Sequence, residues 1–367
     1  MHKHNLRLIY TNHFIQNLAL SIYDIFIPIY LLDLGYNIQD IIIFFIASTL
    51  NICIFSFITI YLTKFISLPK IIIFRFPFLF VFLGLILLLK NISTPLIIIG
   101  IFHGAAIALY YIPLNILLSQ NINKNEMGSS LGKFIAISKI IRIFAPFLSS
   151  IIITFYSFKV LFIIVLMFLI IAFIPILKLK STNNSYQLKK QSIKKTSRKN
   201  YKLLFNESIK TMGVYIVEGI VWPIFIYINL INIISIGFIA SLISLSSAIF
   251  AIFIGKLSNK IQQKNLIKIG VILMSFTWVL KYFFQNEIFF YLLSILSGFL
   301  IILINIPFDS LILKRSQKED LANFFITREI YLCVGRLTML IIVLFLVNNL
   351  KYSFLIISFF YLYLLFL

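Results

Sequence analysis

Few residues in this chain are able to do chemistry, and those few sit in apolar surroundings. Asp24 lies within LSIYDIFIPIYLL, residues 20–32, and Glu218 within MGVYIVEGIVW, residues 212–222. Asp24 shares a helical stripe with Asn17, Ser21 and Pro28, at spacings of four, three and four. Glu218 repeats the pattern with Thr211, Tyr215 and Trp222. Two arginines, Arg142 and Arg336, are placed as deeply in other apolar runs. Other polar groups in such runs are Asp309 and Asn305, with Ser294 and Gly298 before them, and His103, Tyr110, Tyr111 and Asn115. Carboxylates and guanidiniums buried in this way can pair statically, bind a polar ligand or carry a proton. Burial favours the neutral form of a carboxylate and a nearby arginine favours the ionised form, so a pair that opens and closes can load and release a proton. Asp24 and Glu218 are the candidates for that role.

Other chemistries find no support. His2, His4, His13 and His103 have no metal-ligand spacing, and His103 reads as a packed or cavity histidine. GSSLGK, residues 128–133, has one residue too few between its glycines for a phosphate loop, and Phe134 stands where Ser or Thr belongs. Cys53 and Cys333 lie in apolar segments and do not read as a disulfide framework or metal site. No acid, base and nucleophile converge, so neither an enzyme nor a cofactor is expected. NIS at 91–93 is a glycosylation sequon of the kind that arises by chance.

The elements that position these residues follow from composition. Hydrophobic residues make up 61% of the chain and mean hydropathy is +1.05. The apolar residues come in blocks of about twenty, the length that crosses a hydrocarbon core of ~30 Å. They do not alternate as barrel strands do. The fold expected is all-α and membrane-embedded, with twelve spans near 7–33, 38–63, 69–90, 95–121, 129–156, 158–178, 206–230, 233–256, 266–286, 288–314, 321–347 and 351–367. The first run is too long for a signal-peptide core and is read as the first span.

With the N-terminus in the cytoplasm, 24 of the 32 basic residues fall on the inside. Lys90, Lys159, Lys281 and Lys351 fall outside, and Arg75, Lys139, Arg142 and Arg336 within spans. The positive-inside rule then puts both termini in the cytoplasm. Arg75 and Lys139 sit near the inner face and are read as snorkelling to it. Asp24 and Arg142 come out at similar depth, roughly 13 Å from opposite faces at ~1.5 Å per residue, which allows contact. Glu218 and Arg336 fit a pair at least as well. Residues 178–202 hold nine Lys or Arg and no acid, and read as a basic cytoplasmic linker against anionic lipid headgroups. The net charge of +21 therefore needs no nucleic acid.

An internal repeat organises the spans. IPLNILLSQ from 112 and IPFDSLILK from 306 are offset by 194 residues, and the same offset carries Glu126 onto Asp320 and Arg142 onto Arg336. Pro28 falls on Pro223 at 195, and FIAS at 45–48 recurs at 238–241 at 193. The chain thus reads as two six-span units, 1–178 and 206–367, joined by 179–205. Parallel repeats of this kind place a site between the halves. By the same offset a full last span would run to about residue 373, so the C-terminus is expected to be cut short.

With 6+6 spans and a basic central loop, the sequence resembles the major facilitator superfamily over its whole length. The family's loop motif, Gly-x-Leu-[Ala/Ser]-Asp-[Lys/Arg], appears as GKLSNK, Gly255, Leu257, Asn259 and Lys260, with Asn259 replacing the acid. The copy after span two, IYLTKF at 60–65, keeps little beyond Leu62. The span-four motif Arg-x-x-Gln-Gly maps onto Gly100 to Gly104, with His103 for Gln and Gly100 for Arg. The antiporter motif Gly-Pro-x-x-Gly-Gly maps onto APFLSS, where Ala145, Pro146, Ser149 and Ser150 supply the small packing residues. The resemblance implies that spans one, four, seven and ten line a central cavity. It implies a plasma-membrane secondary transporter, monomeric, moving a small molecule by alternating access with proton coupling, and leaning to export. The other reading is a non-transporting lipid-binding protein or membrane-embedded enzyme on the same scaffold.

Overall fold

The computed structural model describes residues 2–92, 94–121, 127–179, 186, 190–257 and 262–366. Among them the chain is helical throughout, without strands. In order come α1 (His2–Tyr23), α2 (Phe26–Asp33), α3 (Ile38–Leu62), α4 (Leu68–Leu88), α5 (Leu96–Asn121), α6 (Met127–Phe155) and α7 (Phe158–Leu177). Then follow α8 (Lys190–Thr211), a π-helix (Met212–Val221), α9 (Trp222–Leu230), α10 (Ile233–Leu257), α11 (Gln263–Phe283), α12 (Glu287–Ser316), α13 (Leu321–Phe345) and α14 (Tyr352–Leu362). Nine helical segments among the described residues are long and apolar enough to cross a membrane, and Ile140–Phe155 and Tyr352–Phe366 are shorter apolar helices.

Local chemistry sets the boundaries. Asn37, Asn286 and Asp320 cap α3, α12 and α13 by accepting the backbone N–H three residues on, at 2.8, 3.0 and 2.9 Å. The break between α1 and α2 falls at Asp24 and Ile25. Pro28 has no N–H to give the Asp24 carbonyl, so the helix is interrupted at the carboxylate itself. Pro146 stands in the same relation to Arg142, inside α6. The segment expected as linker is partly helical: α8 begins at Lys190 and runs without a break through the π-helix into α9.

The two halves of the chain meet through α3 with α13, α6 with α10, and α2 with α9. At the α6–α10 contact, a Cβ on Gly237 would overlap Ser150 Oγ and the Pro146 carbonyl oxygen. The Phe147 N–H donates to Ser241 Oγ at 3.2 Å, and the Phe147 and Phe238 rings lie 5.8 Å apart. Ala145, Ser149 and Ser150 are buried there, and the last two return their hydroxyls to their own helix. Small side chains are what allow two backbones this close.

Candidate functional site

The helix break between α1 and α2 presents Asp24 towards α6, where Arg142 lies with its Nη2 3.7 Å from Asp24 Oδ2. The two side chains are 42% and 41% exposed although the segments that carry them are apolar. They lie at the space between the halves, with Tyr215 of the second half within electrostatic reach of Asp24. Tyr111 of α5 and Tyr215 of the π-helix are also exposed there, at 36% and 37%. Tyr111 lies within electrostatic reach of Asp24, Arg142 and Arg336, and Tyr215 within reach of Asp24 and Arg336. Arg336 of α13 packs over the Tyr215 ring at 4.8 Å and pairs with Glu329, two turns earlier, at 3.0 Å. The site therefore draws Asp24, Tyr111 and Arg142 from the first half and Tyr215, Glu329 and Arg336 from the second.

Glu218 is not part of this space. Its side chain is 3% exposed and it meets Lys281 of α11 at 2.6 Å, not Arg336. The same carboxylate oxygen accepts from Trp278 Nε1 at 2.6 Å and Ser297 Oγ at 3.3 Å. The Lys281 ammonium lies 4.1 Å from the centre of the Trp222 ring. Lys281, counted in the outer group of basic residues, stands in the last turn of α11 and is completely buried. The expected stripe through Thr211, Tyr215, Glu218 and Trp222 assumed α-helical winding. The π-helix closes its hydrogen bonds one residue later, which unwinds that stretch and parts Glu218 from Tyr215.

The expectation for Arg75 is corrected. It does not snorkel: it is 1% exposed in the core of the first half, its guanidinium 4.5 Å from the Tyr110 ring centre and its Nε without a hydrogen-bond partner among the described residues. Lys139 lies in α6, and its side chain is outside the described ones. His103 is packed, as one of its two readings had it, sharing a 2.8 Å hydrogen bond with Ser48 and lying between the rings of Phe44 and Phe82.

Of the other candidates, Asp309 pairs with Lys210 at 2.9 Å and is 37% exposed. Asn305 is half-buried with its Oδ1 unpartnered among the described residues, and Asn115 is half-buried. Ser294 serves packing, accepting from Trp222 Nε1 at 3.0 Å, and Gly298 lets α12 approach α10. Gly255 and Leu257 end α10, while Asn259 and Lys260 lie outside the described residues. Among the described residues no three His, Cys, Asp or Glu gather as a metal site.

These features define a multi-pass helical membrane protein with charged groups held between its halves. A family model described as Major Facilitator Superfamily matches residues 9–319, and the chain belongs to that family of membrane transporters. A comparison with curated proteins finds none that matches.

Proposed function

We propose that this protein is a twelve-span secondary active transporter that moves a small molecule by alternating access, its two six-span bundles, 1–178 and 206–367, rocking about the space between them. The observation that carries the reading is the open Asp24–Arg142 pair, long at 3.7 Å and about four-tenths exposed among apolar helices. A tight, dry pair serves packing; a loose pair facing water is available to a ligand or a proton. Protonation of Asp24 releases Arg142 to a substrate, and the return of the pair expels it. The carbonyls of Asp24 and Arg142, each deprived of its helical partner by a proline four residues on, offer further acceptors at the same place. Glu218, sealed against Lys281, is assigned to structure in this reading and the proton role falls to Asp24 alone.

With the N-terminus in the cytoplasm of the plasma membrane, the packing of α2 on α9 and of α6 on α10 about Pro146 and Gly237 falls towards the outer side, while α3 and α13 meet nearer mid-span. That arrangement corresponds to an inward-facing form. The basic stretch 178–202 then lies at the anionic cytoplasmic leaflet. The lean to export rests on the likeness of Ala145, Pro146, Ser149 and Ser150 to the family's antiporter motif, and their close packing on α10 agrees with it.

The test starts from a small-molecule panel screened by melting shift on the purified protein, since a ligand raises the stability of the state it binds. A hit is then followed in liposomes with an internal pH dye. The expected outcome is substrate-driven proton movement that Asp24→Asn removes while ligand binding persists. Proton movement unchanged in Asp24→Asn overturns the assignment of the proton to this carboxylate.

A further inference from the structure

The chain has two cysteines, and one lies in each half. Cys53 is on α3 and half-buried; Cys333 is on α13 and 2% exposed. The sequence gives no reason to pair residues 280 positions apart (333 − 53). The fold brings them together, because α3 packs against α13 at the junction of the halves. Thr49, which Cys333 touches across the α3–α13 junction, is one helical turn before Cys53 on the same face of α3, so the two thiols are neighbours there. Cys333 Sγ also reaches the Thr49 carbonyl of α3 at 3.6 Å and the Glu329 carboxylate of its own helix at 3.8 Å. Glu329 in turn holds Arg336 at the central site. The thiol pair therefore adjoins the central site, and Cys53, the less buried of the two, is the sulfur that a small solute meets first.

We infer that Cys53 and Cys333 form a redox modification site at which a hydroperoxide converts the two thiols into a disulfide joining the halves. The Cys53 sulfur attacks one peroxide oxygen and the O–O bond breaks. The thiol proton leaves with the departing oxygen as water or an alcohol, and Cys53 becomes a sulfenic acid. The Cys333 sulfur then attacks the Cys53 sulfur, the S–O bond breaks, and water leaves with the remaining thiol proton. Two thiols are oxidised by two electrons and one peroxide is reduced. A cytoplasmic thiol pool returns the bond to the reduced form, so the link is transient in a reducing compartment.

The consequence rests on the alternating-access reading given above. A covalent tie between α3 and α13 fixes the relation of the two halves, and a cycle that must change it stops. Oxidative stress would then hold the transporter shut with no ligand involved, and reduction would free it.

A specific protease site inserted after Asn184 makes the bond visible. The full-length protein is treated with hydrogen peroxide in membranes, cut at that site and run without reductant. The expected result is that the two halves stay together, come apart on adding dithiothreitol, and come apart without it in Cys53→Ser and in Cys333→Ala. Halves that separate after oxidation of the parent overturn the inference. So does retention that persists in either variant. Transport of a panel hit is measured in parallel, with loss on oxidation and recovery on reduction expected in the parent, and none in the variants. A disulfide that forms while transport continues leaves the modification site standing and overturns the rocking motion at α3 and α13. The two readings therefore fail separately.

Discussion

The two halves of the molecule each set an acid against a base among apolar helices, and they treat the pair in opposite ways. In the first half, Asp24 and Arg142 stand 3.7 Å apart and remain about four-tenths exposed. In the second, Glu218 and Lys281 are 2.6 Å apart, 3% and 0% exposed, with Trp278, Ser297 and the Trp222 ring around them. Sequence position alone makes Asp24 and Glu218 look like symmetry mates, 194 residues apart (218 − 24). Structure separates them by helix type. A proline-broken helix turns Asp24 outward to the space between the halves, and a π-helix turns Glu218 inward. The same investment of charge yields an adjustable contact in one half and a fixed one in the other. The lesson concerns partners: an ionisable residue within a span is read correctly only once its neighbours on every helix are known.

The largest effect expected from breaking this contrast is at the sealed pair. Removing one partner leaves an unpaired buried charge, which costs about 3–5 kcal/mol. Glu218→Leu or Lys281→Met alone should lower the apparent melting temperature sharply and reduce the yield of folded protein. The two together should recover much of the loss, because a buried ion pair is often replaceable by apolar side chains of similar volume. Equal and additive losses in the double variant would contradict a pair that acts as a unit. A smaller step in the same direction comes from Trp278→Phe. It keeps the aromatic bulk and removes the Nε1 donor to Glu218, and a hydrogen bond to a charged group contributes about 1.5–3 kcal/mol. A melting temperature indifferent to this change would mean that the carboxylate is held by Lys281 alone.

Much of the fold was legible because apolar blocks and polar breaks are local signals. The helices start and stop within a few residues of the boundaries drawn from composition at most positions. The exception is α8, where a basic, strongly polar stretch from Lys190 gives no apolar block to read, yet continues the helix that follows it. The Asp24–Arg142 contact was accessible by counting residues from each face. The Glu218–Lys281 contact was not. Lys281 lies near the polar end QNE, residues 285–287, which places it outside by position. A signal was present all the same: Met274, Trp278 and Lys281 share one helical face, and all three are buried. Arg75 escaped for the same reason, as its proximity to Lys70 concealed an inward face towards Tyr110. The cysteine contact depends on the docking of α3 on α13, which no local pattern encodes.

The smallest stability effect belongs to the open pair, and it is the sharpest test of the contrast. Ion pairs exposed to water contribute from nothing to about 1 kcal/mol, because solvent screens the attraction and ordering two side chains has an entropic cost. Asp24→Asn and Arg142→Gln should therefore melt close to the parent, well above either single variant of the sealed pair. Added salt should narrow even that difference, since charges facing water are screened more than buried ones. Transport should respond in the reverse order, falling far in Asp24→Asn despite its near-parental stability. A melting temperature in Asp24→Asn as low as that of Glu218→Leu would show that the first-half pair also holds helices together. The two halves would then differ only in geometry, and the proton assignment would lose its support. Near-parental melting combined with lost transport would mean that the fold tolerates a looser pair at Asp24 because that pair must open.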